Sequence, residues 1–327
     1  MNKVSLGGMF LGLILLTVLL VGHGIGEILN LLLSSGWYLL ALPLVWFPSQ
    51  LLAALSWRVL FPATRHPPLG HILASIWMGR AVNVLLPVAT IGGEVVKARL
   101  ITLWGANATD ASATVLVNKT VQALALIPWG LIGAGLLFYL GIDNGIAVPV
   151  MLGVTVLGTG IGGFILVQHF GMFGYLARLT GRFLHAEKRI DLTDGAVKMD
   201  QVVRELYRSR GKFGIALFWQ VLSLMLETGE IWLACQLLGQ PLSILEALAL
   251  ESLTSTVNNA AFFIPNAYGV QEGGFLMAGS LFGLAPDFCL ALSLATRIRE
   301  LVYDLPGLIF WQVVEGRRFL ALKPDNP

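Results

Sequence analysis

The chain has 327 residues, 56% of them hydrophobic and only 12% charged, with a formal net charge of +2 and a mean hydropathy of +0.77. This is more apolar surface than a soluble domain of that length can bury, so lipid must cover the excess. So small a net charge does not suggest a nucleic-acid partner, and Cys235 and Cys289, each in apolar surroundings, read as inert buried thiols rather than as a disulfide or metal ligands.

In chain order, the apolar runs predict an all-α polytopic integral membrane protein with six full spans, at about 4–29, 37–60, 112–139, 146–168, 213–238 and 287–313. Each is long enough as a helix to cross roughly 30 Å of hydrocarbon. The first run follows Lys3 as a signal peptide would, but it continues to about Leu33 with no small-residue cleavage pattern, and is read as a retained helix. Residues 71–103 and 245–284 are apolar but broken, from Pro87 to Glu94 and from Pro265 to Glu272. Proline removes a helical donor and glycine tolerates non-helical angles, so each region is predicted as two short helices around an irregular turn. The hydrophilic stretch 170–212 carries an apolar stripe of Met199, Val202, Val203 and Leu206 beside Arg204 and Arg208. It is read as an amphipathic connector on the cytoplasmic surface.

Positive charge selects between crossing and returning. If both broken regions are re-entrant hairpins, Lys3, the Arg58/Arg65 loop, the nine Lys and Arg of 178–212 and the tail Arg317-Arg318-Lys323 share one side. The loops near Glu27, Asp143 and Gln240, free of Lys and Arg, share the other. The positive-inside rule therefore predicts hairpins, with both termini cytoplasmic. Comparing residue n with n+178 pairs Pro87 with Pro265, Glu94 with Glu272, Gly105 with Gly283, Lys119 with Arg297 and Pro128 with Pro306. This marks an internal repeat, about 37–139 and 213–313 in a single transmembrane domain, and the span count inverts one copy relative to the other.

Ionisable groups at membrane depth need a partner or water. The first repeat holds Arg80, Glu94, Lys97, Arg99 and Lys119; the second holds Glu251, Glu272, Arg297, Arg299, Glu300 and Asp304, with Glu227 and Glu230 on the preceding span. Helices starting near Gly92-Gly93 and Gly269 would aim free N–H groups at a cavity, where Arg80, Lys97, Lys119 and Arg297 can receive a phosphate or carboxylate headgroup. Glu94 and Glu272 then act as counter-charges or proton carriers, and Pro265, Gln271, Arg299 and Glu300 complete the candidate binding set. A purely structural reading stays open beside it, with Glu94 and Glu272 paired to Arg297 and Lys119 only to hold the hairpins. Asn83, Asn258, Asn259 and Asn266 read as hairpin caps. The five histidines are scattered, with no Ser/His/Asp set, so no catalytic residue, metal or cofactor is expected.

The string from Phe263 to Gly274 (FIPNAYGVQEGG), with Phe282-Gly283-Leu284, Arg297-Ile298-Arg299-Glu300 and the stretch Ile91 to Ala98 (IGGEVVKA), resembles the signature of the lysylphosphatidylglycerol synthase transmembrane-region family. The resemblance covers essentially the whole chain and is strongest to the hopanoid-biosynthesis-associated, HpnL-like members. It implies a lipid flippase domain, without the soluble aminoacyltransferase domain of MprF-like members. Where the family has Pro-Gly-Gly, this chain has Pro265-Asn266-Ala267-Tyr268. The resulting expectation is a transporter with a membrane lipid as substrate. An intramembrane lipid-modifying enzyme and a scaffold for lipid-synthesis proteins are the alternatives.

Overall fold

The computed structural model describes residues 14–62, 66–86, 92–142, 186–260 and 264–321, with a discontinuous set between 153 and 168. The predicted break at Pro87, the loop at Asp143, most of the span 146–168 and residues 170–185 of the connector lie outside the described residues. The described residues are helical, with no strand among them.

Residues 14–22 are helical and end at Gly24, whose φ of 84° takes the left-handed conformation that glycine tolerates. The first predicted span is therefore divided, and α1 (Ile25–Ser35) restarts beyond the break. A 3₁₀ turn, Gly36–Ala41, leads into α2 (Leu42–Val59). The first broken region is α3 (Leu69–Leu85) and α4 (Gly92–Leu103), followed by α5 (Ala108–Tyr139). The connector helix α6 (Ala186–Arg208) precedes α7 (Arg210–Leu237). The second broken region is α8 (Ile244–Ala260), a 3₁₀ turn at Pro265–Ala267 and α9 (Val270–Leu281), followed by α10 (Pro286–Ala321). Ile25–Val59 and Ala108–Tyr139 are long and apolar enough to cross a membrane. Large apolar side chains such as Leu44, Val95, Phe218 and Phe310 face outward, as lipid contact requires.

The local signals behind these elements are short-range. Asn107 caps α5 by accepting from Thr109 N at 2.8 Å. Ser243 and Glu246 form a reciprocal capping box on α8, at 2.8 and 3.3 Å. Gly105 (φ 98°) and Gly283 (φ 69°) end α4 and α9 in the same way, with Ala106 N donating to Ile101 O and Leu284 N to Gly279 O, both at 3.1 Å.

The two sets α2–α5 and α7–α10 correspond in backbone and in packing. Gly92 and Val270, Leu103 and Leu281, and Ala108 and Pro286 are each 178 positions apart, so α4 matches α9 end to end. Helix α2 packs on α7, α5 on α8 and α10 on α3; exchanging the sets returns the same pairs. At the first interface, Ser56 Oγ donates to Ala216 O and Ser223 Oγ to Ser49 O, both at 2.8 Å, which brings the backbones close.

The other two interfaces use complementary shapes. Trp129 of α5 donates from Nε1 to Ser255 Oγ of α8 at 2.8 Å, while Trp77 of α3 donates to Tyr303 O of α10 at 2.7 Å. Trp77 stands 178 positions before Ser255, and Trp129 the same distance before Gly307, so the large and small partners trade helices between interfaces. A Cβ at Gly307 would meet the Trp77 indole at 2.9–3.1 Å. Because the rigid ring cannot fold away, Gly307→Ala is expected to cost about 1–3 kcal/mol, and Trp77→Phe in the same chain to restore part of it. Thermal unfolding in detergent measures both; an unchanged midpoint for Gly307→Ala would show that the interface is looser than this.

The stripe of α6 does not face lipid. Val203 and Leu206 are buried in a cluster with Ala111, Val115 and Val121 of α5 and Trp57 of α2. Tyr207 donates its hydroxyl to Gln168 Oε1 at 2.5 Å, and the same oxygen lies 3.1 Å from Thr120 Oγ1. The connector is thus docked on the helical core, because an apolar face gains more from packing there than from a headgroup boundary.

Candidate functional site

In the first repeat, Gly93 is the second residue of α4 and lies where the backbones of α3 and α4 touch: a Cβ there would stand 2.0 Å from Gly79 O. Only glycine permits that approach. Gly93 N donates to Asn83 Oδ1 at 2.7 Å. The next residue, Glu94, is held by Lys97 Nζ at 3.1 Å and by Lys119 Nζ of α5 at 3.5 Å. Lys97 is buried, its stem lying where a side chain at position 79 would be. The Lys119 side chain is 48% exposed, and its other contact, to Gln122 Oε1, is a long 3.4 Å.

The second repeat builds the counterpart more tightly. Glu272 caps α9 by accepting from Gly269 N at 2.7 Å, while its second oxygen accepts from Ser293 Oγ at 3.2 Å and Arg297 Nε at 3.4 Å. It is fully buried. Arg297 also donates from Nη1 to Asn266 O at 2.9 Å and to Glu300 Oε2 at 3.2 Å, and its guanidinium lies 4.7 Å over the Tyr268 ring. Its Nη2 is buried without an acceptor among the described residues. Asn266 takes a left-handed conformation (φ 52°) in the turn that Pro265 opens, and donates to Glu300 at 3.1 Å.

These positions correct two expectations. The leading N–H groups of Gly93 and Gly269 are taken by Asn83 and Glu272, so neither is free for an anion. Each glutamate pairs with the cation of its own repeat, Glu94 with Lys119 and Glu272 with Arg297, rather than across the repeats. The offset of 178 thus relates two whole ion pairs.

Arg80 joins the sets. It reaches Glu300 at 3.3 Å and Asp304 at 3.2 Å on α10, and lies within electrostatic range of Lys97. Gln271 turns into the protein, donating to Ser293 and to Thr296 at 2.8 Å. Arg299 faces away from Arg297 and pairs with Glu230 of α7 at 2.9 Å. Gly92 is the first residue of α4, and Pro265 opens the 3₁₀ turn before α9. Arg99 pairs with Glu315, tying α4 to α10.

Three participants were not singled out from sequence. Trp46 lies between two guanidiniums, those of Arg80 at 4.6 Å and Arg299 at 4.3 Å. Tyr268 stacks on Arg297, and Ser293 supports Glu272. An aromatic in an apolar run carries no local sign of such a partner. Asn83 links α3 to the start of α4, and Asn266 sits in the 3₁₀ turn and bonds to α10; Asn259 bonds back to Ser255 O, and Asn258 Oδ1 is buried without a donor among the described residues.

The model for the lysylphosphatidylglycerol synthase TM region matches residues 5–307, nearly the whole chain and all of both charged sets. The chain belongs to this family. No curated protein and no solved structure matches it. Membership makes this a membrane protein and links it to membrane lipid. Glu94 and Glu272 lie inside the matched region on the short helices of its two broken segments, and their partners Lys119 and Arg297 on the long helices that follow.

Proposed function

We propose that the protein is a lipid transporter that moves an amphipathic lipid, a phospholipid or a hopanoid of the kind handled by HpnL-like relatives, across the inner membrane. The observation that carries this reading is the pair of equivalent ion pairs, Glu94–Lys119 and Glu272–Arg297, one in each repeat. Repeats with opposed hairpins whose tips meet at the midplane provide two alternately exposed sites. In this reading both termini are cytoplasmic, and the headgroup passes along Lys119, Arg80 and Arg297 while the tails stay in lipid.

The two pairs are unequally open. The Lys119 side chain is half-exposed with long contacts, whereas Arg297 is 11% exposed and bound on three sides. Lys119 is therefore the cation free to meet a phosphate or carboxylate first, and Glu94 holds it until then. The chain's chemistry here is binding and release, with no bond made or broken.

Leaflet exchange of labelled lipids in liposomes tests the proposal, using an anionic phospholipid, a zwitterionic phospholipid and a hopanoid in parallel. The reconstituted protein is expected to accelerate exchange of at least one. A charge-assisted contact contributes about 1.5–3 kcal/mol, so Lys119→Ala should slow that exchange about tenfold or more with the fold retained. Exchange no faster than in protein-free vesicles for all three lipids would sink the transporter reading.

A further inference from the structure

Seven ion pairs organise the charges around the two sets. Arg80, Lys97, Lys119, Arg297 and Arg299 are matched by Glu94, Glu230, Glu272, Glu300 and Asp304. Two carboxylates are left over. Glu227 of α7 and Glu251 of α8 have neither a hydrogen bond nor an ion pair among the described residues, and both are only partly exposed. Helices α7 and α8 pack on one another, Glu227 stands one turn before the Glu230 that pairs with Arg299, and Glu227, Glu230 and Glu251 lie within electrostatic reach of one another. Their repeat counterparts are Ser49 and Leu73, so the two-fold framework does not need them.

A second observation comes from the cation beside them. Arg299 is more than nine-tenths buried and spends Nε on Glu230, yet its Nη1 has no acceptor among the described residues. It acts on both Glu227 and Glu251. A buried donor without an acceptor next to surplus carboxylates marks an incomplete site.

We infer that Glu227 and Glu251 form a proton-binding site between α7 and α8, completed by Arg299. One proton is taken up and no other bond changes. The proton sits on one carboxyl of the pair, and the Arg299 guanidinium, held by Glu230, offsets the charge of the other through space. Two carboxylates sharing a desolvated site do not both stay ionised, so the surplus charge is met by the proton. A metal cation is disfavoured, because it would sit against a guanidinium and no three His, Cys, Asp or Glu groups among the described residues converge to hold one. The charged groups reaching the pair are Arg80 of α3, Arg299 of α10 and Glu230 of α7. Use of this proton to drive lipid movement rests on the transport proposed above, but the site can be measured without it.

Infrared spectroscopy of the purified full chain in lipid nanodiscs reads protonated carboxyls directly. At pH 7 the wild type is expected to show a protonated-carboxyl band that is lost in Glu251→Gln or Glu227→Gln and displaced in frequency in Glu251→Asp. Glutamine imitates the neutral acid and aspartate retains a titrating group, so the variants keep the fold. A band present in the wild type but unaltered in all three variants would overturn the site. So would the absence of any band, or a band that emerges only when sodium is replaced by choline, which would assign the site to a metal ion. Lipid exchange in liposomes that fails while the band behaves as expected would leave the proton site standing and remove only its coupling role.

Discussion

Arg299→Met is expected to cost about 3–5 kcal/mol of stability, because it strands Glu230 without a cation in the helical core. Glu230 is 3% exposed and Arg299 is its ion-pair partner, at 2.9 Å. The substitution also removes one of the two guanidiniums stacked on Trp46. Removing both charges should be far less harmful than removing one, since a buried pair replaced by groups of similar size is often neutral. Glu230→Gln in the Arg299→Met background is therefore expected to recover most of the loss. Thermal unfolding and the yield of monodisperse protein measure the cycle. Equal losses in the single and double variants would mean that Arg299 stabilises through Trp46 and packing, not through Glu230.

Glu272→Ala and Glu94→Ala should part company even though the two glutamates are equivalent by position. Glu272 is fully buried, caps α9 through Gly269 N and neutralises Arg297. Its removal leaves a buried guanidinium short of a partner and an uncapped helix, an expected loss of about 3–5 kcal/mol that reduces the folded yield. Glu94 has a 15% exposed side chain, and of the two flexible lysines that bind it Lys119 is half-exposed and can reach water when it is gone, so that only Lys97 stays buried. Glu94→Ala should therefore keep the fold and alter lipid exchange instead. Folded yield and exchange rate on the same preparations separate the two effects. Parallel loss of folded protein in both variants would make the first-repeat pair as structural as the second.

Much of the architecture was legible because its causes are local. The broken regions follow from Pro265, Gly269, Gly92 and Gly93, which set backbone geometry at their own positions, and the observed helices 69–85, 92–103, 244–260 and 270–281 match that reading. The boundary at Gly24 was missed because an apolar run shows no change of composition where a single glycine turns left-handed. The connector's apolar stripe was visible, but not whether lipid or protein would cover it. Both solvents reward the same pattern, and the choice came from α5 and α2 presenting a matching surface.

The sequence alone determined the helical class, the membrane setting, the interruption of two segments and the offset of 178, since these depend on apolar length, proline, glycine and composition. Only the tertiary structure decided which charges meet. Glu230 and Arg299 are 69 positions apart, and Arg80 is 220 from Glu300, so nothing in either residue's neighbourhood specifies its partner. Packing of α3 and α7 on α10 makes those pairs, seals Arg297, leaves Lys119 half-exposed and leaves Glu227 and Glu251 with no ion pair among the described residues. Helix formation is set by short-range backbone geometry, whereas charge pairing in a desolvated interior is set by which side chains the assembled helices bring within reach.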